Sequence, residues 1–234
     1  MDIKTIIFDL GNVVLTNDWH YNCPEKFQEY SDHFDITQDD MERGWKAAWP
    51  EFSVGEISEE DFWKIFLENA GAKNIDIEIA KNLWRKYQKP IENTFELLKK
   101  LKQHYRLAAL TTISKEWLDY KRGKYNLDEY FEVIVSSGYS GLIKPHDEIY
   151  ELAAKELKEK LGVNPEECLF VDDAKSNLLP AEKLGIKTVL FTKQAELEKE
   201  LKELGIRYDA IENLREAKEG KTIPEGFSER KRLK

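Results

Sequence analysis

Four short stretches of this chain carry groups able to handle a phosphate and its cation, and they come in a fixed order. Ile6-Ile7-Phe8-Asp9-Leu10-Gly11-Asn12 runs an apolar segment into an acid and then turns through glycine. Leu107-Ala108-Ala109-Leu110 ends on the hydroxyls of Thr111 and Thr112. Gly141-Leu142-Ile143-Lys144-Pro145 sets a lysine in a loop, and Cys168 to Val171 ends on Asp172-Asp173. In an open α/β sheet, ligands bind outside the carboxyl ends of the strands. An Asp at such an end is available as a nucleophile or a metal ligand. Carboxylates hold Mg²⁺, which prefers oxygen and keeps waters. Hydroxyls, backbone N–H groups and a lysine charge bind phosphate oxygens. Together the four stretches suit a divalent ion plus a phosphate.

Taken singly, each has a plainer reading. Asp9 and the two threonines could be turn formers. Lys144 before a proline could be a solvated loop lysine, and Asp172-Asp173 could be helix N-caps. Asn177 follows on the same turn and could orient Lys144 or an acid, or simply cap the surface. The shared position at strand ends, in order, favours the chemical reading.

The elements that must position these groups follow from patterning. Ile3 to Phe8 is short, apolar and β-branched, as a buried strand requires. Strands are also expected at Leu107–Leu110, Val133–Val135, Cys168–Val171 and Thr188–Phe191, with an edge strand at Tyr208–Ile211. Helices alternate with them at Ile149–Leu161, Leu178–Leu184 and Ala195–Leu204, each followed by glycine. That rhythm means βαβ units and a parallel sheet. The long stretch between the first two strands breaks the rhythm with helical periodicity. Ser58-Glu59-Glu60-Asp61 opens one helix there that stops near Gly71, Ile77–Tyr87 forms another, and Asn93 is expected to cap a third. Residues 16–90 therefore read as a helical insert, with 1–15 and 91–217 as the sheet domain. The tail 218–234, with Pro, Gly and a basic end, is expected to be flexible.

The ordered motifs Phe8-Asp9-Leu10-Gly11-Asn12, Leu110-Thr111-Thr112, Lys144-Pro145 and Val171-Asp172-Asp173 resemble the haloacid dehalogenase-like (HAD) hydrolases with an α-helical cap. The resemblance covers the chain to about residue 217. It implies an α/β, Rossmann-like core with an inserted cap of the C1 type. It implies that Asp9 is the nucleophile and forms an aspartyl-phosphate. By the same resemblance, Thr111, Thr112 and Lys144 hold the phosphate. Asp173 with Asp172 then completes a Mg²⁺ site that includes Asp9 and the Gly11 carbonyl. Two positions depart from the pattern. Where the family's phosphatases carry a second Asp as general acid and base, this chain has Gly11, as in the glucose-1-phosphatase-like branch. Thr112 stands where that branch often has Asn.

The expected function is thus a Mg²⁺-dependent phosphatase acting on a small phosphorylated metabolite. One alternative is a non-catalytic phosphate-ligand binder or regulator, motivated by Gly11. Another is a different HAD reaction, such as phosphonate or haloacid hydrolysis. The paired acids argue against haloacid chemistry, because such crowding beside Asp9 calls for a cation. Four tryptophans, Trp45, Trp49, Trp63 and Trp84, are read as the core of the insert. Trp19, within Trp19-His20-Tyr21, is expected to line the cleft, and Asn12 and Asn177 to stand beside it.

The net charge of −9 over 234 residues argues against nucleic acid and anionic membrane surfaces. No apolar run approaches the roughly 20 residues of a membrane span. The apolar stretch near the N-terminus is too short for a signal peptide. Cys23 and Cys168 form no disulfide framework. A cytoplasmic monomer or weak dimer is expected.

Overall fold

The computed structural model describes residues 2–16 and 23–208. Its centre is a parallel sheet of five strands in the order β3-β2-β1-β4-β5. These are β1 (Thr5–Phe8), β2 (Arg106–Thr111), β3 (Val133–Ser136), β4 (Cys168–Asp172) and β5 (Lys187–Leu190). β1 is central, with Phe8 in register with Ala109 of β2 and Val171 of β4. The three polar strand ends anticipated from the sequence therefore stand side by side.

Both faces of the sheet are covered, which is why its strands read as continuous apolar runs. Side chains alternate across it. Ile6 and Phe8 join Leu107, Ala109, Leu169 and Val171 in one core, with Phe95 and Leu98 of α5 (Glu92–Leu101). Ile7, Ala108, Leu110 and Phe170 point the other way, onto Ile149, Tyr150 and Ala153 of α8 (Asp147–Leu161).

Among the described residues between β1 and α5 are four helices: α1 (Pro24–Phe34), α2 (Gln38–Ser53), α3 (Glu59–Ala70) and α4 (Ile77–Lys86). The starts of α2, α3 and α4 are set by side-chain caps, while α1 opens on Pro24 without one. Thr37 and Asp40 form a reciprocal capping box, Ser58 accepts from the Asp61 amide, and Asp76 accepts from the Ile79 amide. α2 and α3 approach closely at Gly44, where a Cβ would sit 2.4 Å from the Phe66 carbonyl oxygen. α3 ends at Gly71 with φ of 74°.

The two chain segments joining this insertion to the sheet run side by side. Thr16 N–H donates to Lys89 O at 2.9 Å, Ile91 N–H donates to Val14 O at 2.9 Å, and Leu15 bridges Pro90. That contact corrects the expected start of α5. The helix begins at Glu92 with Ile91 as its uncapped N-cap residue, so Asn93 lies inside the first turn. The Val14 carbonyl fixes the chain's entry, and no side-chain cap is needed.

The later helices are α6 (Lys115–Tyr125), the short α7 (Ser137–Ser140), α9 (Lys175–Lys183) and α10 (Gln194–Glu203). α9 starts three residues before the expected Leu178 and carries Pro180 inside it. Of the expected edge strand, Tyr208 is in no strand and 209–211 lie outside the described residues, as does the segment 218–234.

Candidate active site

β1 ends at Phe8, and Asp9 keeps the ladder for one residue more, its amide donating to Val171 O at 2.9 Å. The chain then turns sharply. Val14 and Leu15 amides both return to Leu10 O, and Asn12 takes a left-handed φ of 56°. Asn is among the few side chains that tolerate this conformation. The turn aims Asn12 across the sheet, and its Nδ2 donates to Asp173 Oδ2 at 3.0 Å.

Beside Asp9, β4 delivers two adjacent acids with different surroundings. Asp172 is fully buried. It accepts from Lys144 Nζ at 2.7 Å, from the Ala174 amide at 2.8 Å and from Asn177 Nδ2 at 2.9 Å. Asp173, one residue on, is not buried and borders the cleft. One carboxylate oxygen from each of Asp9, Asp172 and Asp173 lies within 4.8 Å of the others.

Lys144 stands among these acids. It is 8% exposed and also pairs with Asp9 Oδ1 at 3.0 Å. An ammonium has three donors, so two serve Asp9 and Asp172 and a third remains. Burial alone would depress the Lys144 pKa, but Asp9 and Asp172 outweigh it and hold it above the usual lysine value. Burial pushes Asp9 the other way, up to about 6. Lys144 opposes that rise, while the Asp172 and Asp173 charges add to it. Three carboxylates thus gather around one ammonium, two of them buried with it and Asp173 at the cleft.

These groups open onto one cleft of about 220 Å³. Asp9, Gly11, Asn12, Thr111, Thr112, Lys144, Asp173 and Asn177 all line it, whereas Asp172 supports it from beneath. Trp19 lies outside the described residues. The carboxylates among the lining residues are Asp9 and Asp173 alone. Asp173 already accepts from Asn12.

The opposite wall was not anticipated. Trp45 and Trp49 of α2, Trp84 of α4 and Trp117 of α6 line the cleft, with Gln88 and Lys121. The reading of the insert's tryptophans as core holds for Trp63, which is fully buried, and for Trp84, a member of the buried cluster that also borders the cleft. It is corrected for the half-buried Trp45 and Trp49, which pack against that cluster and line the cleft. Helical periodicity identifies an apolar face but not whether that face borders a packed neighbour or a cleft. Trp117 belongs to a helix of the sheet side yet packs into the insert's aromatic cluster. It stacks on Trp84 at 3.9 Å and donates Nε1 to Glu59 of α3 at 3.0 Å. Glu59 also accepts from Arg85 at 2.9 Å. A polar handle on a buried indole is expected to find such a partner.

A five-stranded parallel sheet covered on both faces, with an acid ending its central strand and two more beside it, defines a Rossmann-like α/β fold with its site at the carboxyl ends of the strands. The family model for haloacid dehalogenase-like hydrolases matches residues 3–185, and the chain belongs to that family. It is 26% identical over 205 residues to flavin mononucleotide hydrolase 1 of Arabidopsis thaliana, covering 87% of this chain and 78% of that protein. It is 36% identical over 112 residues to glyceraldehyde 3-phosphate phosphatase of Pyrococcus furiosus, covering 46% and 44%. Several other curated relatives are far longer, and the chain spans well under half of their length. The fold matches a HAD family enzyme of Bacteroides thetaiotaomicron, solved with magnesium and inorganic phosphate. The TM-score is 0.66 at 24% identity, covering 81% of this chain and 94% of that one.

Proposed function

We propose that the chain is a magnesium-dependent phosphatase that hydrolyses a small phosphorylated metabolite through an aspartyl-phosphate on Asp9. One observation carries this reading: three carboxylates converge within 4.8 Å around a single buried lysine at the end of the central strand. The donor set is all oxygen, which suits a hard cation such as Mg²⁺. Burial pushes Asp9 up, and the Asp172 and Asp173 carboxylates crowded beside it also call for a cation. Asp9, Asp173, Asp172 and the Gly11 carbonyl are the residues that would hold it. When bound, Mg²⁺ supplies charge that neutralises phosphoryl oxygens.

The chain's own residues do the rest. An Asp9 oxygen attacks phosphorus as the bond to the leaving oxygen breaks, giving an acyl phosphate. Water then attacks the same phosphorus, releasing inorganic phosphate and restoring the carboxylate. Lys144 orients Asp9 and offers its third N–H to a phosphoryl oxygen, and the Thr111 and Thr112 hydroxyls offer theirs. Asn177 and the Ala174 amide hold Asp172 so that it holds Lys144. Residues 16–90 act as a cap over residues 1–15 and 91–217, a division supported by the paired connecting segments at Thr16 and Lys89. The names of two relatives, a flavin mononucleotide hydrolase and a glyceraldehyde 3-phosphate phosphatase, fit this class of reaction.

The test is phosphate release from a panel of phosphorylated metabolites, with Mg²⁺ and with EDTA. Release that needs Mg²⁺ is expected. Undiminished release in EDTA would overturn the metal assignment, and no release from any ester would overturn the phosphatase reading.

A further inference from the structure

The wall facing Asp9 carries two polar groups that the phosphoryl chemistry does not use. Gln88 is 4% exposed and lines the cleft, and its Oε1 has no hydrogen-bond partner among the described residues. Its backbone is held in place: Tyr125 Oη donates to Gln88 O at 2.5 Å, and the Gln88 amide donates to Arg85 O at 3.3 Å. A buried acceptor left without a donor is costly to a fold. Lys121, 5% exposed, lines the same cleft with its Nζ 5.7 Å from the Trp84 ring. Trp45, Trp49, Trp84 and Trp117 form the surrounding surface.

A ligand group that satisfies Gln88 Oε1 must donate a hydrogen bond, and one that meets the Lys121 ammonium must accept. Hydroxyls do both. The C–H faces of a polyol or sugar ring suit an indole face, leaving the hydroxyl edges for the polar groups. Size narrows the choice. The cleft of about 220 Å³ must hold the phosphoryl group as well as the leaving group. That is below the roughly 300–1,000 Å³ of pockets that enclose drug-sized ligands, the size of a flavin nucleotide.

We propose that Gln88, Lys121 and the four indoles form a leaving-group subsite for a compact polyhydroxylated group. The substrate is then a polyol or sugar phosphate of monosaccharide size rather than a flavin nucleotide. This rests on the phosphatase reading of the Asp9 site. The subsite separates this chain from the flavin mononucleotide hydrolase it resembles, and it assigns the choice to residues from the insert and from α6.

The experiment compares kcat/KM in Mg²⁺ for acetyl phosphate, triose to hexose phosphates and flavin mononucleotide. A sugar or polyol phosphate is expected to exceed flavin mononucleotide by a factor on the order of 10². Gln88→Leu should lower the ratio of polyol phosphate to acetyl phosphate turnover roughly tenfold. Its melting temperature should match or exceed that of the wild type, because the substitution removes an unpaired acceptor. Lys121→Met, read by the same ratio, serves if Gln88→Leu does not fold. A binding measurement stands apart from turnover: in Asp9→Asn, a sugar phosphate should change tryptophan fluorescence saturably, and inorganic phosphate should not. Preference for flavin mononucleotide, or an unchanged ratio in the variant, overturns the subsite while acetyl phosphate turnover upholds the phosphatase. If no ester is hydrolysed, the phosphatase reading falls. The fluorescence titration then decides the subsite, and no saturable change with any sugar phosphate overturns it.

Discussion

Asp9 should cost the folded protein stability, and Asp9→Asn should therefore stabilise it. In the fold the carboxylate is buried and pushed up from 3.8 to about 6. A carboxyl with a raised folded pKa binds its proton more tightly folded than unfolded. Its stabilising effect is full below the unfolded pKa and is lost as pH rises through about 6. A shift of this size corresponds to on the order of 3 kcal/mol at pH 7.5, at about 1.4 kcal/mol per pKa unit. The amide is nearly isosteric, and its oxygen still accepts from Lys144. In EDTA at pH 7.5, Asp9→Asn should then melt above the wild type by about 6–12 °C, taking 2–4 °C per kcal/mol for a chain of this length. The gap should close as pH falls towards 4. Mg²⁺ should raise the wild type and narrow the gap. Differential scanning calorimetry across pH 4–8, with EDTA and with Mg²⁺, measures all of this. Comparing variant with wild type cancels the other acids, such as Asp40, whose hydrogen bonds to Thr37 and Arg43 hold it low, at about 2. A variant less stable than wild type at pH 7.5 in EDTA would refute the reasoning, as would a gap that does not change with pH.

Further outcomes follow from other contacts. Gly44→Ala drives a methyl into the Phe66 carbonyl at 2.4 Å, and should cost about 1–3 kcal/mol in urea unfolding by separating α2 from α3. Trp117→Ala should cost about 3–5 kcal/mol and leave Glu59 with Arg85 and, at 4.0 Å, Lys81, read in the same assay. Gly11 supplies no acid to the leaving oxygen, so esters of poor leaving groups should lag by about 10²–10⁴-fold. A plot of log kcat/KM against leaving-group pKa over aryl phosphates should slope steeply downward. A flat plot with chemistry rate-limiting would show that another residue supplies the proton.

The parallel sheet was legible because each strand is a short apolar run bounded by turn residues, a signal local in sequence. Register in β1, β2 and β4 then brings Asp9, Thr111 and Asp172 to one edge without further information. The differing surroundings of Asp172 and Asp173 were not legible. Adjacent residues leaving a strand face different ways, and only the fold turns Asp172 inward to Lys144, Ala174 and Asn177. The start of α5 was misread because the Val14 carbonyl, far back in sequence, sets it. The tryptophan wall escaped for a similar reason. Trp45, Trp84 and Trp117 come from three helices, and nothing in their spacing tells a cleft from a core. Gln88 carried no sequence signal; its unpaired, buried Oε1 appears only in the folded chain.

The central claim is that Asp9 carries the phosphoryl group. With Gly11 in place of a base, hydrolysis of the acyl phosphate is slow, and the intermediate should accumulate under single-turnover conditions. Acid quench within milliseconds, followed by mass spectrometry of the digested protein, reads this directly. The expected result is a phosphoryl adduct on the peptide bearing Asp9 that decays as phosphate appears and is absent from Asp9→Asn. Phosphate released with no adduct on that peptide, or with the adduct on another residue, would contradict the account.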